Sequence, residues 1–141
     1  MKQTHLHFQP IQGKALDIID AILQIDEVAS LGDVLDIIRL VVEELVVNVV
    51  DYAYPEVADC NSLTTDYLDV EIERDKESIT LRFRDGGVPF NPLAKDLPDT
   101  SLPLEQRQIG GLGIFLVIKK MDSVEYEYTD GENVLTIMKK L

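Results

Sequence analysis

Twelve of the twenty-two residues from Asp33 to Tyr54 are valine, leucine or isoleucine, and no glycine or proline interrupts them. Their β-branched content would suit a strand by propensity. The length argues otherwise, since strands usually run about 5–6 residues. The segment is therefore read as a buried helix, closed by Pro55. Its second half carries four polar groups, Glu43, Glu44, Asn48 and Asp51. Glu44, Asn48 and Asp51, at i, i+4 and i+7, fall within one narrow arc of such a helix. A carboxylate and an amide on an apolar helix are costly to bury without a partner. Either this arc is the solvated side of an amphipathic helix, or it faces a cation such as Mg²⁺, which takes oxygen ligands and shares them with phosphate.

The rest of the chain alternates between the two periods. Residues 4–11 alternate as a strand, with Leu6 and Phe8 on one side and His5 and His7 on the other, before Pro10 and Gly13. Residues 14–29 place Ile18, Ile19, Ile22, Leu23 and Ile25 at helical spacing. Two alternating runs, 67–74 and 78–84, flank Asp75-Lys76-Glu77 and read as an antiparallel hairpin with one wet face. A second hairpin, 123–129 with 133–140, turns at Asp130-Gly131. Residues 112–121 look helical. Between the hairpins, residues 86–111, with Gly113 just beyond, hold five of the eight glycines and four of the six prolines. A loop that long is commonly functional, and residues 91–109 are read as a lid. The order is strand, two helices, two strands, lid, helix, two strands. Helices gathered on one face of a mostly antiparallel sheet make an α+β fold, a two-layer α/β sandwich, in a single domain over residues 1–141.

Composition narrows the partners. Lys plus Arg is 13 and Asp plus Glu is 26, a formal charge of −13. That excess argues against direct nucleic-acid binding, which needs a basic footprint, and against an anionic membrane surface. It leaves a protein partner, or a phosphate ligand held by backbone N–H groups. Cys60 is the single cysteine, so no intramolecular disulfide forms, and it reads as an incidental thiol. The first residues lack the apolar core of a signal peptide, and no apolar run approaches a membrane span, so a cytoplasmic protein is expected. His5 and His7 read as exposed strand residues or a dimer contact rather than metal ligands, because no cysteine or third histidine accompanies them.

Two glycine motifs carry the chemistry. Asp85-Gly86-Gly87-Val88-Pro89-Phe90 follows a strand directly. Asp85 could accept an exocyclic amine, and Gly87 could admit a flat ring close to the backbone. The alternative is an ordinary Asp-Gly turn. Gly110-Gly111-Leu112-Gly113 opens into the apolar run Ile114 to Val117. A helix start rich in glycine offers backbone N–H groups and the positive dipole end to phosphate. The alternative is a hinge feeding a core helix.

The combination is far more specific than its parts. Glu-x-x-x-Asn on a helix, then Asp-x-Gly after a strand, then Gly-x-Gly before a helix resembles the ATP-binding fold of gyrase, the ninety-kilodalton heat-shock chaperones, histidine kinases and MutL. Within that superfamily the chain resembles the anti-sigma-factor serine/threonine kinases. Glu44 to Tyr54 is similar to their Glu-x-x-x-Asn-x-x-x-His-Ala-Tyr box, Asp85 to Phe90 to their Asp-x-Gly-x-Pro-Phe box, and Gly111-Leu112-Gly113 to their second glycine box. Val134 to Met138 fits the closing strand.

By this likeness the chain binds ATP with Mg²⁺. Asn48 would ligate the Mg²⁺, and Glu44 would be the general base toward a Ser or Thr hydroxyl. Asp85 would accept from the adenine amine with Gly87 beside the ring, and Gly111, Leu112 and Gly113 would bring backbone N–H groups to the phosphates. Arg107 is a candidate for the γ-phosphate, or a solvated loop charge. Asp51 is a supporting group or surface charge. The implied partners are an anti-anti-sigma (STAS-like) protein substrate, a sigma factor, and a second copy of the chain in a homodimer. One position departs from the pattern: Tyr52 stands where the family has His. That departure keeps open a non-catalytic, nucleotide-dependent partner-switching module. A detached histidine-kinase catalytic domain is a third, weaker reading, since Pro89-Phe90 fits that subgroup poorly.

Overall fold

The computed structural model describes residues 2–53, 66–89 and 119–141, without the side chains of Tyr52 and Ala53. Among these, the alternating segments form strands β1 (Lys2–Phe8), β2 (Leu68–Arg74), β3 (Ser78–Asp85), β4 (Ser123–Thr129) and β5 (Glu132–Lys140). The 3.6-period segments form helices α1 (Ala15–Leu23), α2 (Asp26–Ala29) and α3 (Leu35–Asn48). The strands make one five-stranded sheet in the order β1-β2-β3-β5-β4, and each neighbouring pair is antiparallel.

Period 2 sorts each strand into an inner and an outer face. On β2 the inner set is Leu68, Val70 and Ile72; on β3 it is Ile79, Leu81 and Phe83; on β5 it is Leu135 and Ile137. These pack in one cluster with Ile18, Ile19 and Ile22 of α1 and with Ile38, Val41, Val42, Leu45 and Val46 of α3. The two-layer α+β expectation therefore holds: an antiparallel sheet with helices over one face. The outer face carries cross-strand charge, with Arg82 Nη1 3.1 Å from Glu71 and Arg84 Nε 3.5 Å from it.

Local boundaries depart from the expected ones for identifiable reasons. The first strand ends at Phe8, opposite Leu68, because Pro10 has no N–H to continue a ladder. The 14–29 helix is two helices. Ile25 is extended (φ −62°, ψ 134°), so the chain leaves α1 and restarts at Asp26-Glu27, acidic residues that suit a first turn. The 33–54 helix is regular only over α3. A 3₁₀ turn, Gly32–Val34, leads into it, and a π-helical turn, Val49–Ala53, follows it. The hairpin at Asp130-Gly131 has positive φ at both residues (53° and 79°), the turn that matches strand twist.

No helix among the described residues is long and apolar enough to cross a membrane. Of the helix expected over 112–121, only the last three residues are described, and Lys119 and Lys120 are helical.

Candidate functional site

Two polar side chains are buried among the described residues, Asp85 at 7% exposure and Asn133 at 6%. Both follow from strand phase. Asp85 ends β3 in the same alternation as Ile79, Leu81 and Phe83, and Asn133 lies directly opposite it on β5, in phase with Leu135 and Ile137. Each is therefore delivered to the apolar face by the pleat that buries its neighbours.

Their bonds are specific. Asp85 Oδ1 accepts from the Gly87 backbone N–H (3.0 Å) and from Asn133 Nδ2 (3.0 Å). Asn133 Nδ2 also donates to the Val88 carbonyl (2.8 Å), and its Oδ1 accepts from the Tyr126 hydroxyl. No bond from a described residue to the second carboxylate oxygen, Oδ2, accompanies these. Burial pushes the Asp85 pKa above its ordinary value; the Asn133 and Gly87 bonds oppose this, and the nearby Glu132 charge adds to it.

The turn after Asp85 is held from the outer side. A Cβ on Gly86 would meet the Tyr67 ring at 3.1 Å. The Tyr67 hydroxyl donates to the Glu132 carboxylate, and the His7 ring stacks on Tyr67 at 6.2 Å between centroids. A side chain at the first glycine of the motif would thus press on a protein ring, whatever ligand approaches Gly87. We expect Gly86→Ala to cost on the order of 1 kcal/mol by thermal melting. In a double-mutant cycle with Tyr67→Ala that cost should largely vanish. An unchanged cost in the Tyr67→Ala background would assign it to the backbone instead.

On α3, Glu44 and Asn48 are both half-buried and one turn apart, whereas Glu43 and Asp51 are exposed. Burial raises the Glu44 pKa above its ordinary 4.5, and the neighbouring Glu43 charge adds to the rise. Asp51 leaves the arc predicted for it because it sits in the π-helical turn, where each residue advances the helix by a smaller angle. Of the two readings open for Asp51, surface charge is the one its exposure fits. The Asn48 side-chain oxygen is a ligand of the kind Mg²⁺ takes when phosphates and water complete its shell, and it leaves the Glu44 carboxylate free.

His5 and His7 are exposed on β1, as expected. His7 Nδ1 contacts Asp69, and His5 Nε2 lies 3.9 Å from the same carboxylate. Among the described residues no three His, Cys, Asp or Glu groups are arranged to hold a metal. Arg107, Gly111, Leu112 and Gly113, with the 91–109 lid and Cys60, lie outside the described residues. A charged cleft of about 680 Å³ lined by Lys2, Glu27, Arg74 and Glu77 lies at the start of β3. The length of the strand separates it from Asp85 by roughly 24 Å, so it is not part of this site.

Tyr126 and Tyr67 carry no mark in the linear sequence that sets them apart from other strand tyrosines. The signal for Asn133 was present: an amide on the apolar phase of a strand just after an Asp-Gly turn.

A family model described as histidine kinase-like ATPase domain matches residues 14–139, nearly the whole chain. Among curated proteins none matches. The match takes in α3 with Glu44 and Asn48, the buried Asp85, and the sheet after β1 save the last residue of β5. The chain belongs to the histidine kinase-like ATPase domain family, whose members bind ATP.

Proposed function

We propose that the protein is an ATP-dependent serine/threonine kinase of the anti-sigma-factor type, which phosphorylates an anti-anti-sigma (STAS-like) protein and regulates a sigma factor. The observation that carries the nucleotide half of this reading is Asp85. It is a buried carboxylate with one oxygen tied down by Gly87 and Asn133 and the other left to accept from a ligand amine. On this reading Gly87 would lie beside the adenine ring, and Gly111, Leu112 and Gly113 would supply backbone N–H groups to the phosphates. Arg107 pairs with the γ-phosphate.

The catalytic half rests on α3. Asn48 holds Mg²⁺, which when bound neutralises phosphate charge. Glu44 takes the proton from the substrate hydroxyl as its oxygen attacks the γ-phosphorus and ADP leaves. Partial burial beside Glu43 makes Glu44 a stronger base than an exposed carboxylate. Phosphoryl transfer asks the protein mainly for positioning and charge neutralisation, so this sparse set suffices. The resemblance also supports a homodimer and a cytoplasmic setting.

The test is incubation of the full chain with labelled ATP, Mg²⁺ and the STAS-like partner. A phosphoserine or phosphothreonine on the partner is expected. Tight ATP binding with no phosphoprotein would instead establish the non-catalytic partner switch, the reading that Tyr52 in place of His favours.

A further inference from the structure

Asn133 occupies a position where the strand pattern calls for an aliphatic side chain. A buried amide is tolerated when its groups are paired, and here the pairing has a direction. Its Nδ2 group, with two hydrogens to give, donates to Asp85 Oδ1 and to the Val88 carbonyl. Its oxygen accepts from Tyr126, on the outermost strand β4. Turned over, the amide would set its oxygen against a carboxylate and a carbonyl while its NH₂ met the phenol. The Asp85 carboxylate and the Val88 carbonyl, both acceptors, therefore set the orientation in which Asn133 donates to Asp85, and the Tyr126 hydroxyl, donating to the amide oxygen, holds the side chain there.

We propose that Tyr126 and Asn133 are positioning residues for base recognition: they hold Asp85 Oδ1 and the Val88 carbonyl in place, so that a purine meets a single carboxylate oxygen in a fixed direction. This rests on the adenine-nucleotide reading above. Neither residue touches the base; both act through Asp85. The groups around Asp85 make the consequence measurable. Leu68, opposite on β2, is apolar; Glu132 on β5 is anionic; Arg84, next on β3, points to the outer face and Glu71. The opposition to burial then comes from hydrogen bonds, those of Asn133 and Gly87. Without the Asn133 donor, Asp85 takes up a proton at higher pH. A protonated carboxyl can donate to a 6-oxo purine, where the ionised one accepts from a 6-amino purine.

The experiment compares ATP with inosine triphosphate, which differs at that 6-position. Affinities of the full chain, Tyr126→Phe and Asn133→Ala are measured by calorimetry from pH 5.5 to 8, beside thermal melts. The native chain should prefer ATP throughout most of the range. Each variant should bind ATP roughly tenfold more weakly, and its ATP preference should collapse at a higher pH than in the native chain. Tyr126→Phe removes one oxygen from a half-buried ring, so it keeps the test alive if Asn133→Ala fails to fold. An unchanged ATP-to-inosine ratio at every pH, with only melting or overall affinity lowered, would overturn the positioning role and leave a structural one. A native chain that binds both nucleotides equally would instead overturn the adenine reading of Asp85, and this proposal with it.

Discussion

Glu44→Gln is expected to slow phosphoryl transfer to the protein substrate by about 10²–10⁴-fold, the usual contribution of a positioned general base. ATP affinity should stay within about threefold, because Gln keeps the shape of a side chain that acts on the hydroxyl and not on the nucleotide. The adjacent Glu43 is exposed and supplies a control: Glu43→Gln should leave the plateau rate within a few-fold and move the acid limb lower, since one cause of the raised Glu44 pKa is gone. The pH profile adds a second signature. Glu44 titrates above its ordinary 4.5 because of burial and Glu43, so the acid limb of the native rate should lie above that value. In Glu44→Gln that limb should disappear. Single-turnover transfer with labelled ATP reads both effects, and full activity in the variant would remove Glu44 from the chemistry.

Asp85→Asn is expected to weaken adenine nucleotide binding by about a hundredfold or more, since the replacement presents an amide donor to an amine donor. Its effect on stability should run the other way. Burial raises the Asp85 pKa above 3.8 in the fold, so the native state favours the protonated form. The favourable contribution of that form is complete below the unfolded value of about 3.8 and is lost as pH rises through the folded one. At neutral pH the native chain therefore carries a buried charge that the Asp85→Asn variant lacks. The variant should melt at an equal or higher temperature than the native chain near pH 7, with the difference shrinking toward acid. Calorimetric titration and thermal melts across pH 3–8 check the pair of effects. A variant that loses nucleotide binding only because it loses stability would contradict both halves.

The parts of this molecule legible from sequence are those decided within one turn or one strand. Residues 68–74 and 78–85 announce a hairpin through alternation and a three-residue polar break, and residues 123–140 do so through alternation and Asp130-Gly131. α3 was legible by length despite its valines, because burial against a sheet outweighs helix propensity. Less legible were interruptions that cost little locally, the extended Ile25 between α1 and α2 and the π-helical turn that carries Asp51 out of the arc of Glu44 and Asn48.

Glu44, Asn48 and Asp85 stand out in the linear chain as residue types at a spacing. Asn133, Tyr126 and Tyr67 do not, because their partners lie on other strands. The Asp85–Asn133 contact spans 48 residues, and Tyr67 meets Glu132 across 65. Such pairs exist only through register: β5 enters beside β3, ahead of its sequence neighbour β4, and sets Asn133 opposite Asp85. Side-chain periodicity, a property of the backbone alone, was enough to settle element type and which face of each strand is apolar. Which polar group on that face meets which depends on long-range strand pairing, whose free energy comes from burying all the strands together, and only the folded sheet could decide it.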